Sequence, residues 1–404
     1  MTRSAARPPA QRPETVAAAN GVAADAAFGA VAPPLYLSST FAFEGVEREG
    51  PHAYTRSSNP SRDMLAETLA RLEGGAGAVV TSSGMAAIDL VLARLGPDDL
   101  VVAPHDCYWG TYRLLAARAA RRQFSVVFID QTDEVAVALA LEDAPSLLFI
   151  ETPSNPLMRV VDIASLAGQA RAAGVQVAVD NTFLSPALQQ PIALGADFVV
   201  HSTTKYINGH SDVVGGAVVA ADRAEAEALA AWANTTGVGG APFDAYMTLR
   251  GLRTLFPRIE RQQRTAGALA AFLLGHPAVR AVHYPGLPGH PQHQLAARQQ
   301  RGFGAMLSFE LAGGLEAVRA FAGALRVFTL AESLGGVESL IAHPETMTHA
   351  GMSPAARAAA GITGGLLRLS VGLEAEDDLL ADLDAGLGQA LAGVPRPGAE
   401  LHVH

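Results

Sequence analysis

Residues 175–205 read VQVAVDNTFLSPALQQPIALGADFVVHSTTK. Two short apolar runs in this stretch, at 175–180 and 197–202, each end in polar residues. Apolar runs of this length between polar or turn residues predict strands that are buried on both faces of a sheet. The two strands deliver Asp180 and Lys205 to their carboxyl ends, which is where open α/β sheets bind their ligands.

The same alternation of strands and helices continues toward the N-terminus. It predicts an α/β fold with a mostly parallel sheet that carries helices on both faces. Further strands are predicted at 78–82, 100–104, 125–130 and 146–151, and helices at 61–73, 85–95, 108–122, 133–141 and 163–173.

Three segments follow from this pattern. Residues 1–60 have several Pro and Gly positions and no sustained periodicity, so we expect an extended N-terminal arm. Residues 61–256 form the predicted large domain. After residue 220 a long helical region is predicted, with Pro257 as a kink or break. Residues 257–404 alternate again and predict a smaller C-terminal α/β domain with antiparallel strands.

Composition narrows the classes of protein. The chain has 404 residues, of which 49% are hydrophobic and 17% are charged, as in globular proteins. A net charge of -10 without a basic patch argues against nucleic acid and anionic membrane as partners. No apolar run reaches the ~20 residues of a membrane helix. Cys107, the single cysteine, excludes an internal disulfide and offers no zinc motif, so we expect a cytoplasmic protein without a bound metal.

Lys205 is the only lysine among 29 Lys and Arg residues. Arginine stays protonated, whereas a lysine amine can lose its proton and attack a carbonyl. Asp180, Lys205 and the neighbouring hydroxyls of Ser202 and Thr204 suit a pyridine aldehyde phosphate. The acid keeps the ring nitrogen protonated, the amine binds the aldehyde and the hydroxyls bind the phosphate. The alternative interpretation is a buried salt bridge between Asp180 and Lys205.

A second phosphate signal follows the predicted strand at 78–82. Gly84 and Met85 begin a helix there, and the free N–H groups at a helix N-terminus attract anions. Ser and Gly at such a junction are also common as plain helix caps, so this signal is weak alone.

Several longer motifs resemble the pyridoxal-phosphate enzymes of cysteine and methionine metabolism. They are SSGMAAI at 82–88, ETPSNP at 151–156, HSTTKYINGHSDVVGG at 201–216 and AESLGGVESLIAHP at 331–344. The resemblance extends from about Pro33 to residue 374. It implies fold type I of the pyridoxal-phosphate-dependent transferases, which is the fold of aspartate aminotransferase, and pyridoxal 5'-phosphate as the cofactor.

The resemblance also implies roles for individual residues. Lys205 would bind the cofactor covalently and move protons, Asp180 would pair with the ring nitrogen, and Tyr108 would stack on the ring. Without the resemblance, Tyr108 would be interpreted as an ordinary core aromatic at the start of a helix. The further cofactor contacts that the resemblance implies are Ser202, Thr204, Gly84, Met85, Asn155 and, from a neighbouring subunit, Tyr54 and Arg56. The resemblance also implies that Tyr108 and Tyr54 are catalytic.

Substrate contacts are implied in the same way. Arg368 would bind the α-carboxylate, with Asn155 and Ser333 nearby. Glu332 matches relatives that act at the γ-carbon or on cystathionine. Arg113 would bind a distal carboxylate. Two positions depart from the family pattern: Ser57 stands where many synthases have a second arginine, and Trp109 stands where they have glycine.

The implied reaction is replacement of the acyl group of O-succinyl-L-homoserine by L-cysteine, giving L-cystathionine for methionine biosynthesis. The departures keep the O-acetyl ester open as donor. Cleavage of cystathionine to cysteine, 2-oxobutyrate and ammonia is the main alternative, followed by an O-acylhomoserine sulfhydrylase and a non-catalytic regulatory protein. Small amino acids are the expected ligands. We expect a homo-oligomer, with a tetramer built as a dimer of dimers implied by the resemblance.

Overall fold

A seven-stranded sheet forms the centre of the computed structural model, which describes residues 11–393. The outer ends of the predicted arm and of the predicted C-terminal domain lie outside the described residues. The strand order is β1-β7-β6-β5-β4-β2-β3, and only β7 runs antiparallel to its neighbours, so the predicted mostly parallel sheet is confirmed. The strands are β1 (Gly77–Thr81), β2 (Leu100–Pro104), β3 (Ser125–Ile129), β4 (Leu147–Glu151), β5 (Gln176–Asp180), β6 (Phe198–His201) and β7 (Gly216–Ala220).

Helices cover both faces of this sheet. Alternate residues of each strand point to opposite faces, so Val79 packs with α3, α4 and α8, while Val80 packs with α2 and α9. Helices α5 and α6 cover the rest of the second face. The helices of this part are α1 (Pro13–Ala19), α2 (Pro60–Glu73), α3 (Gly84–Leu92), α4 (Trp109–Ala120), α5 (Glu134–Glu142), α6 (Ile163–Ala172), α7 (Ser185–Leu188), α8 (Arg223–Thr236) and α9 (Pro242–Leu252), with a 3₁₀ turn at Pro191–Leu194.

The N-terminal arm differs from the expected extended segment. Its first described part contains α1, which buries Val16 and Ala17 against α2. Pro13 is tolerated because the first residue of a helix has no intrahelical N–H partner to lose. Residues 20–59 are irregular and leave large apolar side chains such as Phe28 and Val46 almost fully exposed.

A second, five-stranded sheet follows in the order β10-β11-β12-β9-β8. It is antiparallel except for the β10–β11 pair, and β11 was not predicted. Its core includes residues of α10, α12 and α14. The elements are α10 (Leu255–Leu274), β8 (Val279–His283), α11 (His293–Gln299), β9 (Met306–Leu311), α12 (Gly314–Ala324), β10 (Thr329–Leu330), β11 (Leu340–Ala342), α13 (Pro354–Ala360), β12 (Leu366–Ser370) and α14 (Glu376–Gly393).

The predicted break at Pro257 is wrong in position. The helical region divides into α8, α9 and α10, and Pro257 lies within the first turn of α10, where a missing N–H costs nothing. Within residues 11–393, none of the helices combines the length and the apolar character needed to cross a bilayer.

The turn after β6, which carries Lys205, is held by α9 and α10. Arg258 Nη2 donates hydrogen bonds to the carbonyl oxygens of Tyr206 (2.8 Å) and Gly251 (3.0 Å). Gly251 itself contacts the same turn so closely that a Cβ would lie 2.0 Å from the Asn208 carbonyl oxygen. Buried hydrogen bonds from the charged Arg258 side chain therefore fix the backbone beside Lys205.

Candidate active site

A cavity of about 540 Å³ lies at the carboxyl ends of β4, β5 and β6, where the second sheet approaches with β12. Ligand cavities of α/β folds lie at this edge because the strands end there and loops form the walls. Twelve of the predicted site residues line it: Gly84, Met85, Tyr108, Arg113, Asn155, Asp180, Ser202, Thr204, Lys205, Glu332, Ser333 and Arg368.

Lys205 lies in the wall of this cavity. Its Nζ donates a hydrogen bond to Ser333 Oγ (2.7 Å). Burial and, to a smaller extent, the positive charge of Arg368 lower the pKa of Lys205 to about 8, although the negative charge of Glu332 opposes the shift. No ion pair joins Lys205 to Asp180 or to any other acid among residues 11–393. The amine is therefore available in its neutral, nucleophilic form near neutral pH.

Ser333 has an unusual backbone conformation. Its φ of 82° lies in the left-handed region, which non-glycine residues seldom occupy. Strained conformations of this kind persist where surrounding contacts hold them and cluster at functional sites. Here the strained residue supplies the hydroxyl that holds the Lys205 amine.

Asp180 ends β5 beside the end of β6. Burial raises its pKa, while hydrogen bonds from Thr182 lower it, including one from the Thr182 N–H to Oδ1 (2.9 Å). Thr182 Oγ1 also accepts a hydrogen bond from the Ser202 N–H (2.9 Å). Sequence reasoning missed Thr182. The signal was Asp180 itself, because an Asp side chain often accepts a hydrogen bond from the backbone N–H two residues later, which is an Asx turn.

The start of α3 forms one end of the cavity. Ser83 caps the helix by accepting a hydrogen bond from the Ala86 N–H (3.1 Å). A Cβ at Gly84 would lie 2.7 Å from Ser202 Cβ, so only glycine lets the strand end come this close. Thr204 Oγ1 donates to the Gly215 carbonyl oxygen (3.1 Å). The uncapped N–H groups and the Ser202 hydroxyl together suit a phosphate.

Arg368 is a buried cation without an acidic partner. It lies on β12 with 3% of its surface exposed, and it donates to Asn155 Oδ1 (2.9 Å) and to the Ser333 carbonyl oxygen (3.0 Å). Its Nε has no hydrogen-bond partner, and no carboxylate of residues 11–393 forms an ion pair with it. Burial lowers its pKa to about 10, so the side chain stays charged. An unpaired buried charge is costly, which indicates that a ligand supplies the anion.

Helix α4 presents three side chains to the cavity. Tyr108 caps the helix and is 44% exposed toward the open space. The Trp109 ring stacks on Tyr112 with centroids 5.4 Å apart. Arg113 follows Trp109 by one helical turn, is exposed, and forms no hydrogen bond or ion pair within residues 11–393. The helix therefore offers an aromatic wall and a free cation.

Tyr54 and Arg56 lie outside this cavity. Arg56 Nη1 donates to the backbone oxygen (2.8 Å) and to Oδ1 (3.0 Å) of Asn234, and its guanidinium lies 5.7 Å from the Tyr54 ring centre. Ser57 donates to the same Asn234 side chain (3.3 Å). Within one chain these arm residues do not reach Lys205.

The cavity fits the cofactor that the sequence resemblance implies. It contains a reactive amine, an acid on the neighbouring strand, an open helix N-terminus for a phosphate and an exposed aromatic ring. No group of three or more metal-ligating side chains is present in residues 11–393. The amine, the acid and the open helix N-terminus suit an organic phosphate.

Comparisons with known proteins agree with this geometry. The sequence profile of the Cys/Met metabolism PLP-dependent enzymes matches residues 14–388. The chain is 56% identical to cystathionine gamma-synthase of Escherichia coli (strain K12), over 94% of this chain and 98% of that protein. A crystal structure of cystathionine gamma synthase from Xanthomonas oryzae pv. oryzae in complex with cystathionine superposes with a TM-score of 0.94 at 57% identity, over 95% of this chain and 100% of that one. Cystathionine gamma-lyase of Bacillus subtilis (strain 168) is 43% identical over 93% of this chain and 97% of that protein.

The lowered pKa of Lys205 gives a testable pH dependence. The rate at which the apoprotein takes up pyridoxal 5'-phosphate, followed by absorbance, should rise about tenfold per pH unit below pH 8 and become constant above it, because only the neutral amine reacts. Arg368→Met should move the midpoint to higher pH, since it removes a positive charge. Arg113→Met is the matched control and should leave the midpoint unchanged. A wild-type midpoint near the ordinary lysine value of 10.5 would contradict the assignment.

Proposed function

The chain belongs to the family of Cys/Met metabolism PLP-dependent enzymes, and on this premise we propose that it replaces the acyl group of O-succinyl-L-homoserine by L-cysteine to give L-cystathionine. It is a PLP-dependent transferase of the cystathionine gamma-synthase type. The observation that carries the proposal is the buried Arg368 cation, which has no acid of its own and lines the same cavity as the Lys205 amine. An amino-acid carboxylate is the ligand that completes it.

The cofactor supplies an acceptor for the electrons released when a bond at the substrate α-carbon breaks. We assign its covalent attachment to Lys205 and the pairing of its ring nitrogen to Asp180. The N-terminus of α3 and the Ser202 hydroxyl would hold the phosphate, and Thr204 would join them by turning its hydroxyl away from the Gly215 carbonyl oxygen. Tyr108 covers the ring from the α4 side.

The substrate α-carboxylate pairs with Arg368 in our proposal. Asn155 and the Ser333 carbonyl oxygen already hold two of the guanidinium nitrogens, so the cation is oriented before the ligand arrives. The neutral Lys205 amine would accept the proton from the substrate α-carbon and return it later, because its pKa of about 8 suits both directions. The distal part of the substrate would then extend toward Arg113, which lines the cavity from α4.

The succinyl donor is our choice because of Arg113. Its guanidinium lines the cavity and is unpaired within the described residues, so it is free to bind the distal carboxylate that only the succinyl ester carries. Ser57 supplies no second cation, and Trp109 narrows this end of the cavity with an apolar wall. The acetyl ester is the alternative donor that the test below separates.

The arm leads us to propose a homo-oligomer, a dimer of dimers, in which Tyr54 and Arg56 enter the site of a neighbouring subunit. Phe28 and Val46 are each 94% exposed in the single chain, and apolar surface of this kind is normally covered by a partner. Symmetric homo-oligomers are the commonest assemblies. The single cysteine, Cys107, is buried and unpaired, which supports our proposal of a cytoplasmic location.

The reaction is tested by product analysis. The purified protein should be yellow, and borohydride should fix the cofactor on a single peptide that contains Lys205, because the chain has no other lysine. With O-succinyl-L-homoserine and L-cysteine, the expected product is L-cystathionine. Lys205→Arg should keep the positive charge and lose turnover. Release of 2-oxobutyrate from cystathionine alone, without synthesis, would identify a lyase and contradict the proposal.

The two arginines should differ in their dependence on the donor. Arg368→Ala should lower kcat/KM about a hundredfold or more for succinyl and acetyl donors alike, since each charge-assisted hydrogen bond contributes about 1.5–3 kcal/mol. Arg113→Ala should reduce kcat/KM mainly for the succinyl donor. Steady-state kinetics with both esters measure the difference. Equal losses for Arg113→Ala, or a donor-selective loss for Arg368→Ala, would reverse the assignment.

The shared site is tested by mixing two defective variants. Arg56→Ala should weaken cofactor binding without unfolding the chain, and Lys205→Ala should abolish turnover. Random mixed dimers should contain intact Arg56 and Lys205 at about a quarter of all sites, so activity should return. Each variant alone is the control. Mixed oligomers, demonstrated by mass spectrometry, that regain no activity would count against a site shared between subunits.

A further inference from the structure

Glu151 is a buried acid in the cavity that none of the proposed roles uses. It is the last residue of β4 and is paired in register with Asp180, the last residue of β5. Residues in register on parallel strands point to the same face of the sheet and lie about 4.8 Å apart at their Cα atoms. Glu151 is 7% exposed and lines the cavity together with Asp180. Two carboxyl groups are therefore neighbours at the cofactor end of the sheet.

The contacts of Glu151 connect it to Tyr108. Glu151 Oε2 accepts a hydrogen bond from the Tyr108 N–H (2.9 Å). Tyr108 is the N-cap of α4, and its own side chain makes no capping hydrogen bond. The acid therefore anchors the N-cap residue of α4, whose ring lines the cavity, to the edge of the sheet.

The charges around Glu151 are mostly negative. Asp180 faces it from β5, and Asp106 faces it from the segment between β2 and α4; the neighbouring Cys107 is a neutral thiol, because burial and these acids raise its pKa. Asp106 is already paired with Arg159 (2.8 Å). No cation of residues 11–393 forms an ion pair with Glu151. Two adjacent buried carboxyl groups cannot both ionise without a large cost, so the pair retains a proton.

The surroundings decide which acid keeps that proton. Burial raises the pKa of Glu151 well above its usual range, and the negative charge of Asp180 raises it further, whereas the N–H groups of Tyr108 and Asn155 oppose the shift. Asp180 is favoured in its charged form by the hydrogen bonds of Thr182 and by the nearby His201. The pKa is therefore raised more strongly at Glu151.

We propose that Glu151 is a positioning residue of the cofactor site, which stays protonated beside Asp180 and holds the Tyr108 backbone with its other oxygen. The proton on Glu151 leaves Asp180 as the single negative charge at this edge, ready to pair with the protonated ring nitrogen. The hydrogen bond to Tyr108 sets the position of the aromatic ring. Glu151 acts only through these two residues and is not a catalytic group.

A glutamine at this position tests the proposal, because it resembles a protonated glutamate and keeps the acceptor oxygen. Glu151→Gln should keep the affinity of the apoprotein for pyridoxal 5'-phosphate within about threefold of wild type. Glu151→Ala removes the acceptor for the Tyr108 N–H and leaves that N–H without its partner. It should weaken the affinity about tenfold, as expected for the loss of one hydrogen bond between uncharged groups. Cofactor titrations followed by absorbance and fluorescence measure both values.

Thermal unfolding of the full chain, with and without cofactor, tests the protonation state. The folded chain holds a proton on Glu151 that the unfolded chain releases above the usual glutamate pKa of 4.5, so this group makes the folded state less stable as pH rises. Glutamine has no proton to retain. The Tm of Glu151→Gln relative to wild type should therefore increase by about 2 °C or more between pH 5 and pH 8. Glu227→Gln, at an exposed position of α8, is the control and should show no such trend.

Two outcomes would overturn the proposal. A Tm of Glu151→Gln that falls relative to wild type between pH 5 and pH 8 would show that Glu151 is ionised in the folded chain. Equal cofactor affinities for wild type, Glu151→Gln and Glu151→Ala would show that it positions neither Asp180 nor Tyr108. Neither measurement depends on the acyl donor or on turnover. The role of Glu151 can therefore be tested even if the proposed reaction proves to be wrong.

Discussion

The hydrogen bond between Arg368 and Asn155 (2.9 Å) joins the two sheets across the cavity. It brings a permanent positive charge from β12 to the segment that follows β4, and the buried guanidinium has no acid to neutralise it within the described chain. Burial is the main cause of the lowered pKa of Lys205, and this charge lowers the pKa as well; the charge also requires an anion from outside. One cation therefore contributes both to the reactivity of the amine and to the recognition of a carboxylate.

Local sequence patterns were sufficient for six of the seven strands of the large sheet, all but β7. The strands are continuous apolar runs, and such runs survive in the sequence because both faces of a parallel sheet are buried. The pattern could not give the order of the strands, nor the reversed direction of β7, because both depend on pairing between distant segments. It also missed α1 and β11, whose short lengths provide too few residues for a period to show.

For the site, the sequence and its family resemblance predicted fourteen residues, and twelve of them line one cavity. It did not predict the contacts that orient them. The partners of Arg368 and of Tyr108 come from β4 and its following turn, and nothing in the local sequence of either residue indicates them. Thr182 and Glu151 were overlooked for the same reason, since a polar residue at a strand end acquires a role only when its neighbours across the sheet are known. The places of Tyr54 and Arg56 depend on a second chain and stay predictions.

The antiparallel strand β7 has a consequence for the order in which the protein folds. Strand β1 joins the sheet only through β7, so Gly77 has no strand partner until Ala220 is available. During synthesis, the segment that contains β1 and α3 leaves the ribosome long before β7 does. The loop between β1 and β7 is long, so closing it makes the pairing of these two strands entropically expensive and slow. The start of α3 packs against Gly216 of β7, so the helix end suited to a phosphate can reach its final position only after the chain beyond Lys205 has been synthesised.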